Sequence, residues 1–299
     1  MSRDLPPREL DEAPPSLAEL RSIDREPQER DLRTLSPRAQ EPRPERFSRD
    51  RLPEIQFRAL LSCQDSRYLL SASEVRTMVD LGTFRVISRH DLAQHRYGGS
   101  LERADRDLEN LLRQRLVRRG VFEGPEASPR ELLTLTQSGH ELLRSNGLVP
   151  ENQAVYYGFT RRPDAHHDAD LYRLYQKEAA RIREQGGRNL RVILDHELRR
   201  DIQRDIARLP SEARQEIAAW HGLRVVGNKI PVPDLRIEYE TRDGELGHVD
   251  LELVTEHYGA RDALAKARAG FSLYTPHGEG GRLRRLLGAR GMTPEILSL

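Results

Sequence analysis

The sequence predicts a two-part chain of mixed α and β structure, an α+β unit followed by an α/β unit, behind an unpacked N-terminal tail. Three observations predict it. Residues 1–50 hold eight of the 18 prolines, many arginines and acids, and almost no aromatics. Residues 57–147 read as three amphipathic helices, two strands and a closing helix. From residue 164 the order becomes helix, strand, helical insertion, two strands, helix, strand. The expected division is a tail over 1–50, a first domain over 51–147, a linker over 148–163 and a second domain over 164–299.

Composition narrows the classes. With 36% hydrophobic and 32% charged residues in 299, part of the chain is too polar to pack. No apolar run approaches the roughly 20 residues that cross a bilayer, and no apolar signal core opens the chain. A cytoplasmic protein with no membrane partner is the simplest expectation; a leaderless secreted one is the alternative. One cysteine, Cys63, excludes an internal disulfide framework and a cysteine zinc cluster. A net charge of +1 excludes a strongly basic nucleic-acid binder. The cations are almost all arginine; the lysines are Lys177, Lys229 and Lys266.

The tail cannot bury enough apolar area to offset its chain entropy, so it is expected to be disordered, with an unidentified docking partner as the functional alternative. After it, Val75, Met78, Val79 and Leu81 fall at helical spacing. A short second helix follows Ser88, its expected cap, and stops at Gly98-Gly99. The third helix runs through "SLERADRDLENLLRQRLVRRG". Its buried stripe is Leu101, Ala104, Leu108, Leu111 and Leu112, and Gly120 is its expected stop. A strand, a Gly/Pro turn, a second strand and a helix complete the unit. This order, with "LVRRGVFEG" and "LLTLTQSG" as wing strands, resembles a winged helix-turn-helix over residues 57–147. That fold places its third helix in the DNA major groove. The outward face of this helix carries Arg103, Arg106, Asn110, Arg113 and Gln114, residue types that read phosphates and base edges. Glu102, Asp105, Asp107 and Glu109 share the helix and repel phosphate. A charged face on a dimerising winged helix, giving a homodimer, therefore remains the alternative to binding double-stranded DNA.

In the second domain a long helix starts near Arg161 with Asp164 as its cap, and Leu171, Leu174, Tyr175 and Ala179 as its stripe. His166-His167 point to different sides of that helix and read as a surface helix start, not a metal pair. Trp220 reads as core. The stretch "PDLRIEYETRDGELGHVDLEL" is a hairpin, and register decides what its acids do. A two-residue Asp243-Gly244 turn would set Ile237 against Asp250 and mix apolar with charged groups. Placing Arg242 opposite Leu246 lets Leu235, Ile237 and Tyr239 meet Leu253, Leu251 and Val249. The other face then gathers Asp234, Arg236, Glu238, Asp250 and Glu252, with Arg236 opposite Glu252. Carboxylates on adjacent strands suit a hard cation, Mg or Mn, that activates water and steadies charge on phosphate. The candidate metal ligands are Asp234, Asp250 and Glu252.

Pro233-Asp234, a 16-residue step to Asp250, and Asp250-Leu251-Glu252 resemble the PD-(D/E)XK, or restriction-endonuclease-like, fold. Glu197 in "LDHEL" matches the acid that fold carries earlier in the chain. A winged helix followed by "LDHELRRD", "PDLRIEY" and "HVDLELVTEHYGARDALAKARAGFSLY" is similar to the replication-relaxation family of mobile-element proteins, over residues 57–276. Glu197, Asp234, Asp250, Glu252, Lys266 and Tyr274 are the matching positions. The resemblance implies a winged helix joined to a degenerate nuclease-like domain, and a DNA-binding role in replication, relaxation or transfer of a plasmid or other mobile element. One departure bears on catalysis. An active nuclease needs a lysine two residues after its second acid; Glu252 or Val254 stands there, and Lys266 is the nearest replacement, on the next helix. Three readings stay open: an inactive nuclease-like DNA binder, a Mg- or Mn-dependent DNA endonuclease using Glu197, Asp234, Asp250, Glu252 and Lys266, and a winged-helix transcriptional regulator or adaptor. No nucleophile elbow or phosphate-binding glycine loop is present in the sequence.

Overall fold

A computed structural model of the chain describes residues 58–123, 129–159, 162–255, 258–275, 280–288 and 296–298. The expected tail over 1–50 lies outside the described residues. The fold is mixed α and β. No helix among the described residues is long and apolar enough to cross a membrane.

The first element has no counterpart among the elements the sequence predicts. Strands β1 (Ala59–Cys63) and β2 (Ser66–Leu70) pair antiparallel from Ala59↔Leu70 to Cys63↔Ser66. Gln64 makes the turn with φ 51°, a conformation usually given to Gly or Asn, so no familiar turn dipeptide marks it. Leu61, Cys63 and Tyr68 face the core, whereas Leu60 and Leu69 face outward.

Helix α1 (Ala72–Phe84) opens with a capping box: the Ser71 hydroxyl accepts from the Glu74 amide and the Glu74 carboxylate accepts from the Ser71 amide. Strand β3 (Ile87–Ser88) leads into α2 (Arg89–Arg96), capped by Ser88 as expected. Helix α3 (Leu101–Arg113) buries Ala104, Leu108 and Leu111, but Leu101 is exposed. It stops at Arg113, well before Gly120, because Arg115 turns into positive φ (57°) and Val117 pairs with Leu135. Gly120 instead lies inside β4 (Val117–Phe122), where an added Cβ would strike the Phe122 and Phe159 rings at 2.8 and 3.2 Å. Strand β5 (Arg130–Leu135) completes a three-stranded sheet of order β3-β5-β4, and α4 (Gln137–Ser145) follows under a Thr136 cap.

Residues 148–159 of the expected linker are packed. Leu148, Val149 and Val155 are buried, and the Gln153 amide pairs with both backbone groups of Val192. Helix α5 (Arg162–Glu184) begins before Asp164, not at it. A five-stranded sheet of order β10-β9-β8-β7-β6 then forms from β6 (Arg188–Leu194), β7 (Leu235–Glu240), β8 (Leu246–Leu253), β9 (Ser272–Thr275) and β10 (Ile296–Ser298). β6, β7 and β8 pair antiparallel, whereas β8, β9 and β10 run parallel. Helices α6 (Asp195–Ile206) and α7 (Arg214–Trp220) lie between β6 and β7; α8 (Ala260–Ala269) links β8 to β9 and α9 (Gly280–Gly288) precedes β10. Trp220 is 38% exposed rather than core.

One hydrophobic cluster includes Val79, Phe84 and Leu143 from the first unit, Tyr172 and Tyr175 of α5, and Val192, Ile237, Leu251 and Tyr274 from the sheet. A second, with Ile193, Leu198, Ile217, Ala263 and Leu273, covers the other face of the sheet. The sheet is thus covered on both faces, which explains its apolar strands.

Helix α4 docks with no room to spare at Gly139: an added Cβ would lie 2.2 Å from the Leu116 carbonyl oxygen, a backbone atom. Gly139→Ala is expected to lower stability by about 1–3 kcal/mol through overpacking, read as a lower urea midpoint. Gly281→Ala, in α9 with nothing near its added Cβ, is the control and is expected to hold or raise the midpoint through helix propensity.

Candidate functional site

The acids meet where β7 begins and β8 ends. The register there is Leu235↔Leu251 and Ile237↔Val249, two residues away from the expected pairing. The loop spans Thr241–Glu245, closed by the Thr241 amide donating to the Glu245 carbonyl at 2.8 Å and Gly244 at φ 85°. An even slip keeps each side chain on its expected face, so the apolar face survives and only the partners change. Arg236 faces Asp250 rather than Glu252.

That change splits the carboxylate set. Arg236 grips Asp250 with two bonds, Nε to Oδ1 at 2.6 Å and an NH2 nitrogen to Oδ2 at 2.8 Å, and donates to the His221 carbonyl at 2.5 Å. Both side chains are buried. Asp250 is therefore held with the arginine and does not join Asp234 and Glu252, contrary to the expected convergence.

Asp234 and Glu252 form a separate buried cluster. Glu252 has no exposed surface. Its Oε1 accepts from Lys266 Nζ at 2.6 Å and from the Tyr258 hydroxyl, and its Oε2 accepts from the Asp234 amide at 3.2 Å. The Asp234 carboxylate accepts from the Leu253 amide at 2.9 Å and lies 3.5 Å from His167 Nε2. Lys266 also donates to the Val232 carbonyl at 2.8 Å. Burial pushes the Glu252 carboxyl up to about 7, the Asp234 charge adds to this, and Lys266 and Tyr258 oppose it. For His167, burial acts downward but Asp234 outweighs it, with help from Asp168 and Glu252, and the imidazole rises to about 9. The Tyr258 hydroxyl is pushed up by burial and by the Glu252 charge.

The other expected positions lie apart from this cluster. Glu197, in the first turn of α6, accepts from the Tyr156 hydroxyl at 2.9 Å and pairs with Arg191 at 3.2 Å. Tyr274 points through the opposite face of the sheet, where its hydroxyl donates to buried Glu178 at 2.6 Å. His167, which the sequence places at a surface helix start, is an ion-pair partner of Asp234. Its signal was present in the Asp-rich surroundings of the helix start, but only tertiary packing selects His167 over His166. Tyr258 sits in no pattern that singles it out from the sequence.

The donor set does not fit a divalent cation. Asp250 is clamped by a guanidinium, Glu252 is occupied by an ammonium, and among the described residues no group of three or more His, Cys, Asp or Glu side chains is placed to share one ion. A cation attracted by Asp234 and Glu252 would have to displace Lys266. The arrangement as it stands is a self-neutralised polar network, with Lys266 and His167 balancing Asp234 and Glu252.

On the third helix the five expected contact residues divide. Arg103, Arg106 and Arg113 are exposed. Asn110 donates to Glu74 Oε1 at 2.8 Å, and Gln114 accepts from the Leu69 amide at 3.1 Å, so both amides bind β2 and the start of α1 instead of facing outward. Three of the four acids of the helix are also engaged, whereas Glu109 is exposed. Asp105 receives Arg89 at 2.6 and 2.5 Å, and Asp107 accepts from the Tyr97 hydroxyl at 2.9 Å. Glu102 pairs with Arg106 across one turn, an exposed contact worth little. No protein-family model matches the chain, and no curated protein matches it.

Lys266→Met is expected to cost about 3–5 kcal/mol, because it strips the ammonium from a buried carboxylate and leaves it only the Tyr258 hydroxyl and the Asp234 amide, and Glu252→Gln in the same chain should recover part of the loss. Urea titration of wild type, the single variant and the double variant checks this. His167 gives a pH signature. Its folded pKa lies above its ordinary 6.5, so its stabilisation is complete below that pH and is lost as pH rises through about 9. His167→Gln is expected to remove the fall in stability across that window; an unchanged slope would show that other groups cause it.

Proposed function

We propose that this chain is a DNA-binding protein that acts in the replication, relaxation or transfer of a plasmid or other mobile element. In this reading residues 58–145 serve as a winged helix-turn-helix, and the five-stranded sheet with its helices is a restriction-endonuclease-like domain that no longer cuts. The observation that carries DNA binding is the row Arg103, Arg106 and Arg113 on α3. These positions fall within one face at 100° per residue; the acids Asp105 and Asp107 are engaged by Arg89 and Tyr97, whereas the exposed Glu102 and Glu109 share the arginine face, Glu102 in contact with Arg106. Guanidinium groups presented this way neutralise phosphates and release counterions. With Asn110 and Gln114 engaged elsewhere, amide-to-adenine readout from this helix is not part of the proposal. Support for an inactive nuclease-like domain comes from Lys266 and Arg236, whose charges occupy the acids a metal would need.

Arg106→Ala with Arg113→Ala is expected to weaken duplex binding and to flatten the slope of log K against log salt by about 0.9 for each phosphate no longer neutralised. Anisotropy titrations of a labelled duplex at several salt concentrations measure both. Unchanged affinity and slope would remove α3 from the interface. Supercoiled plasmid incubated with the protein and Mn²⁺ is expected to stay intact. Nicking by wild type but not by Glu252→Gln would establish a metal-dependent endonuclease in place of the inactive domain.

A further inference from the structure

Residues 155–159, "VYYGF", carry three aromatic rings in one short extended segment. Its backbone is pinned at alternate positions: the Tyr156 amide donates to the Gly82 carbonyl at 2.7 Å and the Gly158 amide to the Leu135 carbonyl at 3.0 Å. Gly158, at φ 79°, makes the bend between Tyr157 and Phe159. The segment and Arg85 line a cavity of about 300 Å³ formed by Arg85, Val155, Tyr156, Tyr157, Gly158 and Phe159. That is near the lower bound for small-ligand sites, enough for a flat ring and its sugar but too small for a duplex.

The rings differ in what they already do. Tyr156 is committed, with its hydroxyl on Glu197, Arg85 stacked over its face at 4.9 Å and His196 against its edge at 4.7 Å. Tyr157 leans on His140 at 5.1 Å and is still 49% exposed. Arginines border the cavity, alongside acids that have partners of their own. Arg118 lies over the Phe159 ring at 5.0 Å and is exposed on β4. Arg200 and Glu197 act in opposite directions on the Tyr156 hydroxyl, as Arg144 and Glu141 do on the His140 ring. The neighbouring acids have partners: Glu197 has Tyr156 and Arg191, Asp168 has Arg85 at 3.8 Å, and Glu141, beside His140, accepts from the Gln64 and Gln137 amides at 3.1 and 2.8 Å. A half-exposed ring on a rigid backbone, bordered by guanidinium groups, is the chemistry that holds single-stranded nucleic acid through base stacking and phosphate attraction.

We propose that this cavity takes an unpaired base of a DNA strand, stacked on Tyr157, with Arg118, which already covers the Phe159 ring, beside the adjoining phosphate. The proposal rests on the DNA-binding reading and adds a second contact, for melted or nicked strand, to the duplex contact of α3. The test uses the full chain with a fluorescein-labelled oligothymidylate and, separately, a labelled duplex, both read by anisotropy. Tyr157→Ala is expected to weaken oligothymidylate binding about tenfold or more while leaving duplex affinity unchanged, and Tyr157→Phe to retain wild-type binding. Arg118→Gln, an exposed strand position, is expected to weaken single-strand binding and reduce its salt dependence, which guards against misfolding of the tyrosine variant. Crosslinking of a 5-iodouracil-substituted strand is expected in the peptide that carries Tyr157 and Phe159. Wild type that binds duplex but not oligothymidylate, a Tyr157→Ala variant that loses nothing or loses both equally, or crosslinks confined to other peptides would each overturn the proposal. Tyr157-dependent oligothymidylate binding without duplex binding would uphold it and instead remove the duplex reading.

Discussion

Helix α5 is buried from both sides, and the remaining geometry depends on that. Its middle meets α1 through rings: Phe84 packs edge-on against Tyr172 at 5.2 Å and tilted against Tyr175 at 5.1 Å. The Tyr172 hydroxyl reaches Asp80, whose buried carboxylate also receives Arg96. Its second half meets the sheet, where buried Glu178 accepts from Tyr274 and pairs with Arg181. Aromatic pairs add roughly 0.5–1.5 kcal/mol beyond their area, and each buried carboxylate here would be costly without its partner. A helix fixed by apolar rings on one side and a satisfied carboxylate on the other has little freedom to rotate. That rigidity is what delivers His167, near the helix start, to Asp234 at the sheet end.

At the sheet end the same rule operates on charge. Five acids stand along two strands and a helix start, and each described partner is internal: Arg236 for Asp250, Lys266 for Glu252, His167 for Asp234, Arg191 for Glu197 and for Glu238. Such pairs add little net stability compared with apolar packing, but the loss of one partner is severe. The site is therefore held against rearrangement by the cost of separating any pair. A cation or a ligand that sought these carboxylates would have to compete with groups already in hydrogen-bond contact. In a nuclease the same positions would need the reverse, acids left available to an ion from solution.

What the sequence made legible follows from how local each signal is. The cap at Ser88 and the hydrophobic stripe of α1 depend on neighbours within one turn, and both appear as read. The hairpin faces were legible because alternation survives an even slip; the partner identities were not, because the five-residue loop shifts the pairing by two residues without changing parity. The β1–β2 hairpin was illegible because Gln64 takes positive φ without a glycine or asparagine to announce it. The end of α3 failed for a related reason. Arg115 breaks the helix at positive φ, so Gly120, the conspicuous stop, was free to serve in β4, where the Phe159 ring takes the space a Cβ would fill. Asn110 and Gln114 read as outward because helical spacing cannot see a hairpin that lies 41 and 45 residues earlier in the chain. His167 and Tyr258 belong to the same class: their roles exist only once α5 and α8 have docked.

The choice of cation at the two acid pairs shows where composition gives way to chemistry. The chain uses arginine almost everywhere and lysine at three positions. At Arg236 the planar fork is required, since it meets both oxygens of Asp250 and still reaches the His221 carbonyl with its remaining nitrogen. At Lys266 the need is different. The partners are one carboxylate oxygen and the Val232 carbonyl, converging on a single point beside the Phe271 ring, whose centre lies 5.7 Å from the ammonium. A compact ammonium satisfies that geometry, whereas a guanidinium would bring five donors to a pocket with few acceptors and leave some of them buried and unpaired. A lysine in an arginine-rich chain, at a point where the carboxylate pair needs a compact charge, accounts for why the cluster is neutral without drawing on solvent.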